Sequence, residues 1–164
     1  EKYIDENKEK ERIERVQIYE DKGQGYLEET SYYLPGVEIQ GNRMEMDIHF
    51  DGNVKELRID PMHSACILII KEFTLNGCPL PNYGKKYVKT NGRKIDGKEP
   101  CFVFHTADPN LKIQVSNMPL KGENTIHCVW EYARMSEEIG SRLNRFLTHI
   151  NGALKKVKNM VKRK

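Results

Sequence analysis

Long apolar runs are missing from this sequence. The longest, Ala65 to Ile70, is strand-sized and far short of the ~18 residues of a membrane span. Residues 1–15 carry six acids and five bases around no apolar centre, which does not read as a signal peptide. The chain opens on Glu1 rather than Met, so it is expected to be a piece cut from a longer protein. No C-x-x-C pair is present: Cys66, Cys78, Cys101 and Cys128 lie 12, 23 and 27 residues apart, a spacing that argues against a zinc knuckle or redox centre. The cysteines are expected to be reduced and to pack as small hydrophobes in a cytosolic protein. His49, His63, His105, His127 and His149 form no H-E-x-x-H or other i, i+4 pair and have no local nucleophile signature. A Walker-type phosphate loop is also lacking, since Gly23-Gln24-Gly25 has no third glycine and no strand-to-helix context.

What is present is an ordinary domain's worth of core. A 164-residue chain buries roughly two-thirds of its unfolded surface and needs neither disulfide nor metal to fold. Its net charge of +3 is unevenly placed: residues 136–164 hold eight bases against two acids, so the basic character belongs to the C-terminal tail.

Residues 1–14 are rich in Glu and Lys without Gly or Pro, and read as a helical lead-in or linker with too small an apolar face to fold alone. From 15 to 134 the punctuation is that of short antiparallel strands, expected near 15–20, 30–34, 44–50, 54–59, 66–75, 101–105, 111–115 and 124–133. Eight strands without intervening helices predict a mainly β fold, a jelly-roll-like antiparallel β-sandwich. In MEMDIHF, Met44, Met46, Ile48 and Phe50 alternate with Glu45, Asp47 and His49, which marks one face as buried and the other as wet. The polar stretch Gly77–Pro100 reads as a long loop, with at most a ragged hairpin.

Residues 135–164 switch to a helical period. Ser136 suits an N-cap, followed by Glu137 and Glu138 at the positive end of the dipole. Ile139, Leu143, Phe146, Ile150, Leu154, Val157 and Val161 then trace one stripe. Such a helix would extend about 42 Å, longer than most sandwiches are across, so Leu143, Phe146 and Ile150 are expected interface residues. Their partners would be other domains of the parent chain or a second copy through a coiled coil. The basic tail also suits peripheral contact with an anionic membrane surface. Nucleic acid is not an expected partner, because the bases come with no stacking aromatics or fold signature.

Asp60 and Asp108 each precede a proline and are expected to be turn-forming residues that bond nearby backbone amides. Calcium is the functional alternative, but neither segment supplies the clustered acids of a calcium loop. Arg58 is expected to pair with Asp60 or with a carboxylate across the sheet, as an architectural clamp. An enzymatic reading would require folding to gather His63 or His105 beside Asp60 or Asp108; no catalytic residue, metal or cofactor is assigned. For glycan binding, Tyr26, Tyr32, Tyr83 and Tyr87 provide rings for the apolar sugar face, and Glu28, Glu29 and Asn82 stand by as hydroxyl partners. The same tyrosines could instead plug sandwich edges with their hydroxyls wet.

The stretches VQIYEDKGQGYLEETSYYLPG, VKELRIDPMHSACILIIKEFTLNG and FVFHTADPNLKI, with the closing strand that carries Trp130, resemble accessory β-sandwich domains of large bacterial glycosyltransferases and methyltransferases of cell-surface polysaccharide assembly, including rhamnan-synthesis-F-like proteins. The resemblance covers about residues 15–133. Its most specific parts are Tyr19, Asp21, Gly23, Gly25, Glu28 and Glu29 at the opening and Arg58-Ile59-Asp60-Pro61 at a strand end. It implies a small jelly roll beside catalytic domains, often adjoining helical segments, with no catalytic or binding residues to transfer. The long basic stretch Gly77–Pro100 departs from it and leaves ligand preference open. The expectation is therefore a cytoplasmic accessory module, at or near the inner face of the membrane, that binds or orients a glycan. The competing expectation is a spacer or dimerisation domain with no ligand.

Overall fold

The computed structural model describes residues 15–80, 88–95 and 97–161, with side chains to 152 in the terminal helix. The strands are β1 (Gln17–Asp21), β2 (Tyr32–Tyr33), β3 (Glu38–Gln40), β4 (Arg43–Asp51), β5 (Glu56–Asp60) and β6 (Cys66–Leu75). They continue as β7 (Cys78–Pro79), β8 (Val88–Thr90), β9 (Arg93–Ile95), β10 (Cys101–Phe104), β11 (Leu111–Gln114) and β12 (Glu123–Arg134), and the helix α1 (Glu137–Val161) follows. Two antiparallel sheets result. The smaller runs β2-β1-β5-β11-β8, the larger β3-β4-β12-β6-β10-β9 with β7 paired to β6.

Following the chain, β1 lies in the smaller sheet, β4 in the larger, β5 in the smaller, β6 and β10 in the larger, β11 in the smaller and β12 in the larger. That is the path of a jelly roll whose last strand is replaced. Where a final strand would enter between β1 and β5, those two pair directly, Ile18 opposite Ile59. The chain leaves β12 as a helix instead.

The alternation read in MEMDIHF sets the register. Met44, Met46, Ile48 and Phe50 turn inward beside Ile126, Cys128 and Trp130 of β12, and meet Ile18, Leu57, Ile59 and Ile113 from the smaller sheet. Each large side chain fully buried here is worth about 1.5–3 kcal/mol over leaving it in water. A register shift between Val129 and Trp130 lets consecutive residues both be buried, as a bulge does. The Trp130 indole N–H lies in this core without a hydrogen-bond partner among the described residues.

All eight expected strands are present. The stretch 77–100, expected as a loop, also contains β7, β8 and β9. Asn76 and Gly77 both adopt positive φ, 51° and 77°, and join β6 to β7 through a two-residue turn of the kind that Asn-Gly favours.

Ser136 caps α1, its hydroxyl accepting the Ile139 amide at 3.3 Å. The helix docks at the β9–β10 end of the larger sheet. Its contact side is small and polar rather than apolar. A Cβ on Gly140 would stand 3.0 Å from the His105 Cα, and Arg93 donates to Asn144 Oδ1 at 2.7 Å and Thr148 Oγ1 at 2.8 Å. Glu137 accepts the Ala107 amide at 2.9 Å. No helix among the described residues is long and apolar enough to cross a membrane.

Candidate functional site

The two outer faces of the sandwich carry similar residue types in different states. On the smaller sheet, Tyr19, Arg58 and Lys112 stand side by side on adjacent strands. The loop after β1 folds back over them. Asp21 starts that fold by accepting the amides of Gly23 and Gly25 at 2.6 and 2.9 Å, which hold its carboxyl below the usual carboxylate range.

Tyr26 then lies over the sheet, its hydroxyl donating to Glu56. Its ring meets Tyr19 edge-on, with centroids 6.4 Å apart, and Lys112 Nζ sits 5.1 Å from the ring centroid. The Tyr19 hydroxyl donates to Glu28 at 2.7 Å, and Gln17 donates to the other oxygen of Glu28 at 3.0 Å. Burial, reinforced by Glu28, pushes the Tyr19 phenol up to about 12, and burial with the Glu56 bond raises that of Tyr26 as well.

Arg58 anchors this network. Its guanidinium lies 5.1 Å from the Tyr19 ring centroid, donates twice to Asp60 at 2.7 and 2.8 Å and reaches Asp108 at 2.8 Å. Asp60 is 5% exposed; burial raises its carboxyl, and the Arg58 bonds pull back only part of that rise. Both Asp-Pro carboxylates thus face one arginine, where the sequence suggested bonds to nearby backbone amides. His63 lies edge-on to Tyr33, centroids 6.1 Å apart, and no bond ties it to Asp60.

On the larger sheet the polar face is open. The connection from β2 to β3 crosses from one sheet edge to the other and stands beside the outward residues of β4. A cleft of ≈ 710 Å³ results, lined by Glu20, Tyr32, Leu34, Pro35, Gly36, Glu38, Glu45, Asp47, His49 and His127, with Met46 at its floor. Asp47 and His127 are direct cross-strand partners, and their side chains meet at 2.8 Å, Nδ1 to Oδ1. Glu45 approaches the other ring nitrogen at 3.8 Å. His49 Nδ1 lies 2.9 Å from the Thr125 hydroxyl oxygen. Tyr32 is half-buried, and burial with Glu20 nearby raises its phenol to about 12. Among the described residues, four carboxylates and no Lys or Arg line the cleft, and Glu20 and Glu45 are paired to Lys22 and Arg43 beside it.

Among the described residues, those expected to bind glycan do not converge. Tyr26 and Glu28 bond within the closed network, Glu29 is exposed on the short helical turn Glu28–Thr30, and of these four Tyr32 lies in the cleft. Asn82, Tyr83 and Tyr87 lie outside the described residues. The sequence reading missed His49, His127, Glu45 and Asp47 as site residues, although the alternation in MEMDIHF had already marked three of them as wet. Of the helix residues, Leu143 is half-buried while Phe146 and Ile150 are exposed. The four cysteines are free: Cys66 and Cys128 are buried, Cys101 partly so, and Cys78 exposed. Among the described residues, no three His, Cys, Asp or Glu side chains group as a metal site would require.

Comparison with family models, with curated proteins and with solved structures returns no match to this chain.

Proposed function

We propose that this chain is a non-catalytic accessory module that holds a neutral glycan in the cleft over β4 and β12, in the setting of a bacterial surface-polysaccharide glycosyltransferase or methyltransferase. The cleft carries the reading. At ≈ 710 Å³ it falls within the roughly 300–1,000 Å³ of small-ligand sites, and it combines a tyrosine ring and a Leu-Pro wall with several hydrogen-bond acceptors. A sugar presents an apolar ring face and a fan of hydroxyl donors; Tyr32 and Pro35 suit the first, and Glu38, Glu45 and Asp47 the second. Glu20 and Glu45 reach Lys22 and Arg43 at 3.4 and 3.0 Å, while Glu38 and Asp47 keep the lining acidic on balance; that balance disfavours phosphate and uronate groups, so the reading favours uncharged sugars. The resemblance to polysaccharide-assembly sandwiches, rhamnan-associated ones included, supports a deoxyhexose-containing chain as the first ligand to try.

An open site of this kind binds weakly, with a Kd of ~1 mM, or about −4 kcal/mol. Affinity electrophoresis or calorimetry with bacterial surface oligosaccharides tests it. Tyr32→Ala and Asp47→Ala should each remove detectable binding, while Tyr26→Ala, on the other face, should leave it. Binding that survives both cleft variants overturns the assignment. No binding at tens of millimolar of any such sugar leaves the spacer reading in its place.

A further inference from the structure

The apolar stripe of α1 is turned away from the sandwich. Gly140, Asn144 and Thr148 face the sheet, and the stripe lies about a third of a turn around the helix from them. Ile139 is 57% exposed, Phe146 61% and Ile150 39%, values unlike those of any large apolar residue in the core. Helical backbone continues to Val161, and the sequence carries the stripe onward through Leu154, Val157 and Val161.

The spacing of this stripe has a symmetry. Its steps are 4, 3, 4, 4, 3 and 4, the same read forward and backward about Ile150. An antiparallel pair of identical helices related by a two-fold axis at Ile150 therefore brings every apolar position onto another. Register position 139 meets 161, 143 meets 157, 146 meets 154, and 150 meets itself. This is the condition for a self-complementary two-fold interface, in which each contact occurs twice. The steps 4, 3, 4 occur twice, an eleven-residue repeat whose slow drift around the helix corresponds to a slight right-handed supercoil, so the pairing can follow the full length. Charge agrees at the ends. The acids Glu137 and Glu138 open the helix, and the sequence beyond its last turn is basic, with Lys162 and Arg163. Antiparallel packing sets acidic start against basic end and opposes the two helix dipoles favourably; parallel packing sets like against like.

We propose that α1 is an antiparallel dimerisation helix whose occupant is a second copy of this chain, with the two-fold axis at Ile150. The inference is independent of the glycan reading, because the cleft lies on other elements.

The test uses the full chain. Sedimentation equilibrium should give twice the 19.1 kDa chain mass, and Phe146→Glu with Ile150→Glu should return it to the monomer mass with the thermal melt of the Trp130 fluorescence unchanged. Orientation is read by cross-linking in a Cys78→Ser, Cys101→Ser background with a mild oxidant. Ile150→Cys should link to its own copy. Ile139→Cys should not, since its two copies stand about 33 Å apart in the antiparallel pair, but it should link to Val161→Cys when the two variants are mixed. Self-linking of Ile139→Cys at the rate of Ile150→Cys means a parallel pair and overturns the proposal. A chain that remains monomeric at hundreds of micromolar overturns it too, whether or not it sediments with phosphatidylglycerol vesicles; sedimentation with them would assign the stripe to a membrane surface.

Discussion

The outer face of the smaller sheet and that of the larger carry the same chemistry, carboxylates beside tyrosines and cations or histidines, and use it in opposite ways. On the smaller sheet the loop after β1 returns over the strands, so that Tyr26 meets Glu56, Tyr19 meets Glu28, and Arg58 holds Asp60 and Asp108. On the larger sheet the β2–β3 connection stands at the side of a cleft lined by Glu38, Glu45 and Asp47, where Arg43 and His127 each take one oxygen, of Glu45 and of Asp47, and no loop closes over the rest. What separates a structural network from a binding site here is whether a loop has already supplied the partners. Residue type alone does not decide it.

The contrast is sharpest in stability. Arg58→Ala leaves Asp60 buried without its counterion and should cost about 2–3 kcal/mol in urea unfolding, toward the lower end for a broken buried pair because Arg58 is partly exposed. Adding Asp60→Asn to that variant should recover part of the loss. A single-variant loss below about 0.5 kcal/mol would mean that the network is not structural. Tyr26→Phe removes one donated hydrogen bond and leaves the ring contacts in place, and should cost about 1 kcal/mol by the same measurement.

Acid should separate the carboxylates by sign. Asp21, Glu28 and Asp51 are held below the usual carboxylate range by backbone amides, by the Tyr19 hydroxyl with Gln17, and by Lys22. Their folded values lie under their unfolded ones, so their stabilisation is present above the unfolded value and is lost as pH falls through the folded one. Asp60 has the opposite sign: burial raises it, so its contribution is present at low pH and is lost as pH rises through its folded value. Tm should fall between about pH 6 and about pH 3, and more steeply in Asp60→Asn, which lacks the opposing contribution. Equal slopes in the two proteins would contradict the direction given to Asp60. Smallest of all, Asp47→Ala and His127→Ala in the open cleft should change stability by less than about 0.5 kcal/mol.

Strand positions were legible because alternation is a local property: MEMDIHF and the run 124–133 state their faces within a few residues. The Asn76-Gly77 turn was legible as well, as a two-residue hairpin signal, and went unread inside a polar stretch. The cleft was not legible. It depends on β4 pairing with β12, which brings Asp47 to His127 across 80 positions, and on where the β2–β3 connection crosses. Tyr26 misled for a related reason. An aromatic residue beside Gly23 and Gly25 reads as exposed, yet its loop folds back to Glu56, 30 positions away. The stripe on α1 was visible by period, but which side of the helix the sandwich would take was not, because Gly140 and Asn144 rather than the apolar residues make that contact.

Amide chemical-shift mapping on the intact chain during titration with neutral rhamnose-containing oligosaccharide tests most directly whether the open face is the ligand face. Shifts should concentrate at Tyr32, Gly36, Asp47, His49 and His127 and leave Tyr26, Glu28 and Lys112 unmoved. Shifts concentrated instead on Tyr26, Glu28 and Lys112 would contradict the division between a closed structural face and an open binding one.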